Sequence, residues 1–164
     1  MAQECSFDIV SKIDLQEVDN AVSQTMKEIR TRYDFKGSIS QVAREDRTLT
    51  IHADDRFRLR SVLEILNQRL AKRAVSLKAI RFGEPKEASG GTVTQTAELQ
   101  QGISSDQARE IVKLIKGLKA KAQPTIMGDQ LRVKAKSKDE LQAVIAHLRE
   151  QSLDFDIQFT NFRS

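Results

Sequence analysis

Two stretches decide the fold: Asp46-Arg47-Thr48-Leu49-Thr50-Ile51 and Gly128-Asp129-Gln130-Leu131-Arg132-Val133. Each opens in a short polar turn, Glu45-Asp46-Arg47 or Gly128-Asp129-Gln130, and then alternates polar with apolar residues. Alternation of period two is the mark of a strand with one buried face. Leu49 and Ile51 are expected inward, with Thr48, Thr50 and His52 outward. In the second copy Leu131, Val133 and Ala135 are expected inward, with Arg132, Lys134 and Lys136 outward. A segment of helical apolar spacing follows each copy, so the chain reads as one hairpin-and-helix unit used twice.

Working outward, the same periodicities predict four helices. The first spans about 15–32, with Asp14 as N-cap and Val18, Val22, Met26 and Ile29 on one face. The second spans about 55–74 and buries Leu59, Val62, Leu63, Leu66 and Leu70. The third follows the N-cap Ser104 and buries Ala108, Ile111, Val112, Ile115 and Leu118. The fourth starts near Ser137, with Glu140 as a capping-box partner, and buries Leu141, Val144, Ile145 and Leu148. Strands are predicted from Cys5 to Val10 and near 37–44, 76–82, 92–99 and 121–127. A last strand carries Phe155, Ile157 and Phe159 inward and Asp154, Asp156, Gln158 and Thr160 outward. The order is β-α-β-β-α-β, twice. That is an α+β chain of two ferredoxin-like domains, each a four-stranded antiparallel sheet with two helices on one face. The expected domains are 1–87 and 92–164, joined by the Pro- and Gly-containing stretch 84–91. The first and last strands, Phe7-Asp8-Ile9 and Phe155-Asp156-Ile157, are so alike that terminal strands exchanged between domains would also satisfy the pattern.

Composition narrows the function classes. The 164 residues are 30% charged and 39% hydrophobic, with a formal net charge of +4 and a pI near 9.3. That excess permits a polyanionic partner without requiring one. It is evenly spread: 16 basic against 14 acidic residues over 1–87, and 11 against 9 over 88–164. An anion site must therefore come from local placement. Cys5 is the only cysteine, which excludes an internal disulfide and a paired-thiolate metal site and fits a cytoplasmic protein. Met1-Ala2-Gln3-Glu4-Cys5 does not read as a secretory signal, and no apolar run reaches the roughly 18–20 residues of a membrane helix. His52 and His147 lack ligand spacing. No cofactor is implied.

Three places draw attention. The first is the sheet face left bare by the helices. Its outward positions carry no aromatic residue in either copy, so the base-stacking signature of RNA-recognition domains is missing. In the second copy Arg132, Lys134 and Lys136 recur at about 6.6–7 Å along one face, a spacing suited to successive phosphates. The bland reading is a solvated strand that resists aggregation. The second place is Arg30-Thr31-Arg32-Tyr33-Asp34-Phe35-Lys36-Gly37-Ser38. Here Tyr33 offers a ring for stacking, while Lys36 and the Gly37–Ser38 backbone offer charge and N–H groups to an anion. Phe35 belongs to the core, and the glycine that a Walker A loop needs is missing. The third is the C-terminal Gln158-Phe159-Thr160-Asn161-Phe162-Arg163, where two phenylalanines anchor the strand and Arg163 is open for an anion. Arg56, Arg58 and Arg60 read as solvation or a second phosphate contact. Asp8, Asp154 and Asp156 are expected outward, with no nucleophile or oxyanion motif beside them, so the chain reads as a binder and not an enzyme.

Taken together, Ser6-Phe7-Asp8-Ile9-Val10-Ser11, Leu15-Gln16-Glu17-Val18-Asp19-Asn20-Ala21, Tyr33-Asp34-Phe35-Lys36-Gly37-Ser38 and Gln158-Phe159-Thr160-Asn161-Phe162-Arg163 closely resemble the bacterial YajQ family. The stretches around Gly128-Asp129-Gln130 and Asp139-Glu140-Leu141-Gln142 resemble it too. The resemblance implies two ferredoxin-like domains and a nucleotide-binding protein, with ATP, GTP and tRNA as ligand types. It also implies that some relatives receive cyclic di-GMP and act on transcription, which makes a ligand-controlled protein partner the alternative role. It supplies no ligand-contact list. The candidate phosphate and nucleotide residues, Tyr33, Lys36, Arg132, Lys134, Lys136 and Arg163, therefore rest on charge and exposure alone.

Overall fold

A computed structural model describes residues 4–164 of the chain. The first three residues of the stretch read as signal-free lie outside it. In chain order the elements are β1 (Cys5–Val10), α1 (Leu15–Thr31), β2 (Gln41–Glu45), β3 (Thr48–Ala53), α2 (Arg56–Lys72), β4 (Ile80–Phe82), β5 (Lys86–Glu87), β6 (Val93–Leu99), α3 (Ser105–Lys116), β7 (Ala122–Met127), β8 (Gln130–Ala135), α4 (Lys138–Glu150) and β9 (Gln158–Arg163). The helices start where their caps place them. The Asp14 carboxylate accepts from the N–H groups of Gln16 and Glu17, Asp55 accepts from Arg58 N–H, and Ser137 from Glu140 N–H. Ser104 and Gln107 form a complete capping box.

The chain divides into a continuous unit, Ile13–Gln100, and a discontinuous one that joins the chain start up to Lys12 with Gln101–Ser164. In the continuous unit the sheet order is β2-β3-β6-β4, with the short β5 added beside β6. In the discontinuous unit it is β7-β8-β1-β9. Both are antiparallel ferredoxin-like sheets in which the strand that leads into the first helix occupies a central position. Each leading strand, however, pairs in the unit to which its helix does not belong. β1 runs into α1 but pairs with β8 and β9, and β6 runs into α3 but pairs with β3 and β4.

The boundaries at 1–87 and 92–164 are thereby corrected, for a definite reason. Alternation fixes which face of a strand is buried, but not which sheet it enters. Partner choice comes from the pairing itself: Phe7 opposite Val133, Ile9 opposite Leu131 and Phe159. Phe7 and Ile9 are fully buried there. The crossing back after β6 is held by Gly102, whose N–H donates to Ser11 O at 2.7 Å while Ile103 N–H donates to Asp129 O at 2.7 Å. Gly102 has φ +76°, and a Cβ there would sit 2.6 Å from Asp129 Oδ2.

Three strands are shorter than their sequence pattern. The segment 37–40 forms no ladder because Asp54 takes it over. Ser38 and Ser40 donate their hydroxyls to Asp54, and Ile39 N–H donates to its Oδ1 at 3.2 Å, so β2 starts at Gln41. Leu77–Ala79 is a 3-10 turn capped by Ser76, which leaves only Ile80–Phe82 as β4. The last strand begins at Gln158; Phe155 is buried, but from a loop in which Asp156 O accepts from the Ser11 hydroxyl at 2.6 Å.

Since β1 is the central strand of the discontinuous unit, residues 92–164 expressed alone should remain unfolded by far-UV circular dichroism. A permuted fragment, 101–164 followed by a short turn and residues 4–12, should fold, because Arg163 already pairs with Ser6. A folded 92–164 fragment would contradict the pairing.

Candidate functional site

The helix-free face of the discontinuous unit follows from its register. One row across the sheet reads Gln123, Lys134, Ser6, Arg163, and the next reads Thr125, Arg132, Asp8, Thr160. In the second row charge is cancelled. Arg132 Nε donates to Asp8 Oδ1 at 2.9 Å and its Nη2 to Oδ2 at 3.4 Å. Asn161 Nδ2 donates to the same Oδ2 at 2.8 Å. Asn161 reaches it from a β9 irregularity, with φ 56°, a left-handed conformation that asparagine tolerates. Asp8 lies on the outward face, as expected, but is only 4% exposed. Arg132, a candidate for phosphate on this outward face, is there and is ion-paired with Asp8.

In the first row the charge is not cancelled. Among the described residues no ion pair involves Lys134, Lys136 or Arg163, nor Lys121 and Lys138 beside them. Lys134 and Arg163 flank Ser6, so their Cα atoms stand about two strand spacings, roughly 10 Å, apart. Lys121, Lys134 and Lys136 line a cavity of about 450 Å³, with Gln123 and a single carboxylate, Glu4. Arg163 and Lys138 line a second cavity of about 230 Å³, with Ser6, Leu141, Gln142 and Phe162. The first lies along β7 and β8, the second between β9 and the start of α4. Lys121 and Lys138 had been passed over. The signal for Lys138 was present: the basic alternation 132, 134, 136 runs on to 138, across the strand–helix boundary. Lys121 is placed only by the register of β7 against β8, which the sequence pattern does not carry.

Tyr33 and Lys36 belong to the continuous unit. Tyr33 stands 88% exposed in the 3-10 turn Tyr33–Phe35, whose Phe35 enters the core as expected. Lys36 is exposed and precedes Gly37, at φ 76°. Next to this turn the Arg58 guanidinium lies 5.9 Å from the Phe35 ring centre and 5.8 Å from that of the exposed Phe57. Arg32 is held by Glu28 and Asp34. The helix-free face of this unit is nearly neutral: Thr48, Thr50 and His52 face Thr94, Thr96 and Glu98, with His52 Nδ1 2.9 Å from Thr94 Oγ1. Among the described residues no cluster of three or more His, Cys, Asp or Glu could hold a metal ion, and no helix is long and apolar enough to cross a membrane.

The Asp8 carboxyl is held below its ordinary value of 3.8, chiefly by the Arg132 hydrogen bond, against an opposing push from burial. A carboxyl with a depressed folded value contributes stability above its unfolded value and loses it as pH falls through the folded one. Asp8→Asn should therefore cost about 2 kcal/mol at pH 7, and the gap to wild type should close as pH drops below about 4. Thermal melts across pH check this; a gap that does not change with pH would remove the ion pair as its cause.

The family described as "Nucleotide-binding protein YajQ-like" matches residues 5–163. A "Nucleotide-binding protein" of Desulfitobacterium hafniense (strain DSM 10664 / DCB-2) is 52% identical over 163 residues, covering 99% of this chain and 100% of the relative. Relatives of the same printed name are 49% identical in Heliobacterium modesticaldum, over all of both chains, and 50% identical in Geotalea uraniireducens, over 96% of this chain and 98% of the relative. With two ferredoxin-like sheets and a match that runs almost from end to end, the chain belongs to the YajQ-like family.

Proposed function

We propose that this chain is a non-catalytic nucleotide-binding protein that holds phosphate at the cationic end of the sheet β7-β8-β1-β9. One observation carries the reading: Lys121, Lys134 and Lys136 converge on one concavity, with Arg163 two strands from Lys134 in the same row, and no ion pair among the described residues neutralises any of them. Three lysines against one carboxylate, with no ion pair between them, raise the local potential and hence the local anion concentration. Lysine supplies compact charge for a phosphate, and Arg163 can supply a two-pronged contact. The names of the relatives support the ligand class. Arg132 is left out, because any phosphate would compete with Asp8 for it.

ATP, GTP, cyclic di-GMP and tRNA share the chemistry this end of the sheet recognises. A binding panel of these four across a salt series tests the reading. Affinity should fall steeply with salt in every case that binds, and Lys134→Glu should weaken binding at least tenfold. Affinity unchanged by salt, or equal in the variant, would sink it. No turnover of ATP, GTP or cyclic di-GMP should be seen with magnesium present.

Tyr33 and Lys36 support a separate contact, for polynucleotide, on the continuous unit. The exposed Tyr33 ring lies in the turn beside the stacked Arg58 and Phe57, and such surfaces hold unpaired bases. Tyr33→Ala should weaken tRNA binding about fivefold and leave ATP binding unchanged. A regulatory adaptor role would show instead as a protein partner whose affinity changes with added nucleotide.

A further inference from the structure

The lysines explain phosphate but leave the smaller cavity beside them unused. Phe162 is 57% exposed, an unusual state for a phenylalanine near a chain end. It is not loose. One face of its ring stacks on Phe7, with centres 5.7 Å apart and planes 27° apart. Phe7 is itself fully buried and braced edge-on by Phe159, at 5.7 Å and 78°. The next residue, Arg163, is fixed by pairing with Ser6. The outer ring face therefore forms a fixed ledge over a cavity of about 230 Å³ with the buried Leu141 in its lining. That volume falls below the roughly 300–1,000 Å³ usual for a drug-sized ligand. It suits one ring system, not a whole nucleotide. Arg163 and Lys138 flank the ledge, and the Gln142 amide, with both donor and acceptor, lies on its rim.

Resting on the phosphate reading above, we propose that Phe162 is the base platform of the same site. The nucleobase lies on the outer face of Phe162, with Gln142 at its edge, and the phosphates pass Arg163 and Ser6 to reach Lys134 and Lys136. The register supports this path. Ser6 lines the smaller cavity and is the strand neighbour of both Lys134 and Arg163, so the path runs round the strand ends, from the α4 side where Phe162 stacks on Phe7 to the helix-free face that carries Lys134. A base stacked on an exposed ring is bound with little regard to its identity, so the platform takes ATP and GTP alike, and Gln142 sets what preference there is.

The test separates base from phosphate. Binding of ATP, GTP and inorganic tripolyphosphate to the full chain is measured at fixed ionic strength for wild type, Phe162→Ala, Phe162→Trp and Lys134→Glu. Phe162→Ala should weaken both nucleotides about tenfold and leave tripolyphosphate within twofold, whereas Lys134→Glu should weaken all three. Phe162→Trp should restore nucleotide binding. Because the chain has no tryptophan of its own, this variant carries a single reporter whose fluorescence a stacked base should quench. Nucleotide binding unaffected by Phe162→Ala, or equal losses for nucleotide and tripolyphosphate, overturns the platform. So does a sedimentation shift showing that Phe162 is covered by a second copy of the chain. Failure of wild type to bind tripolyphosphate overturns the phosphate reading instead; quenching of the Phe162→Trp variant by adenosine alone then decides the platform by itself.

Discussion

β1 lies between β8 and β9, and the discontinuous unit depends on that placement. Its Phe7 and Ile9 are the two fully buried side chains that close the core beneath α3 and α4. Its opposite face carries Ser6 and Asp8, which organise everything charged on the bare side of the sheet. A six-residue strand that enters a sheet at the centre satisfies backbone groups along both edges, which an edge strand cannot do. The two β-α-β-β-α-β halves are thereby made interdependent: each is completed by a strand whose own helix lies in the other unit. For a unit of this size, with a small core and marginal stability, the arrangement makes the continuous polypeptide, rather than either half, the thing that folds.

The same strand decides where charge is left over. Asp8 lies in register with Arg132 and neutralises it, with Asn161 satisfying the remaining carboxylate oxygen. Its neighbour Ser6, one row on, carries no charge and leaves Lys134 and Arg163 without an ion pair on either side. A carboxylate at position 6 would have built a second ion pair there. The alternation of acidic and neutral along one strand therefore moves the positive potential from the middle of the face to the end of the sheet, where Lys121, Lys136 and Lys138 add to it.

How much of this the sequence disclosed depends on the range of the interaction. Caps and helical faces are local, and Asp14, Ser104 and Ser137 act where they were expected. The faces of β3 and β8 are equally local, and both match. Interactions between distant segments were illegible. Arg132 and Asp8 are 124 residues apart, and nothing in either segment announces the other. Ser38 and Ser40 looked like strand residues until Asp54, 16 and 14 positions away, bound them. Of the six candidate residues, Lys134, Lys136 and Arg163 fall at the same end of one sheet, Arg132 is taken by Asp8, and Tyr33 with Lys36 lies on the other unit.

The two helix-free faces differ in a way that argues for one principal anion surface. Both arise from the same alternating pattern, and the sequence alone ranks them only by residue type. In the continuous unit the outward positions are filled by threonines, with His52 bonded to Thr94 and Thr48 donating to Glu98 at 3.1 Å. The Thr48 and Thr94 hydroxyls are thus engaged laterally, and the Glu98 carboxylate on β6 repels anions. In the discontinuous unit the equivalent strand carries Arg132, Lys134 and then Lys136. Different residues at the equivalent outward positions leave one face nearly neutral and the other with its unpaired cations at the end of the sheet, beyond the Arg132–Asp8 pair. The ferredoxin-like fold permits either, because these positions lie on the sheet face away from the helices.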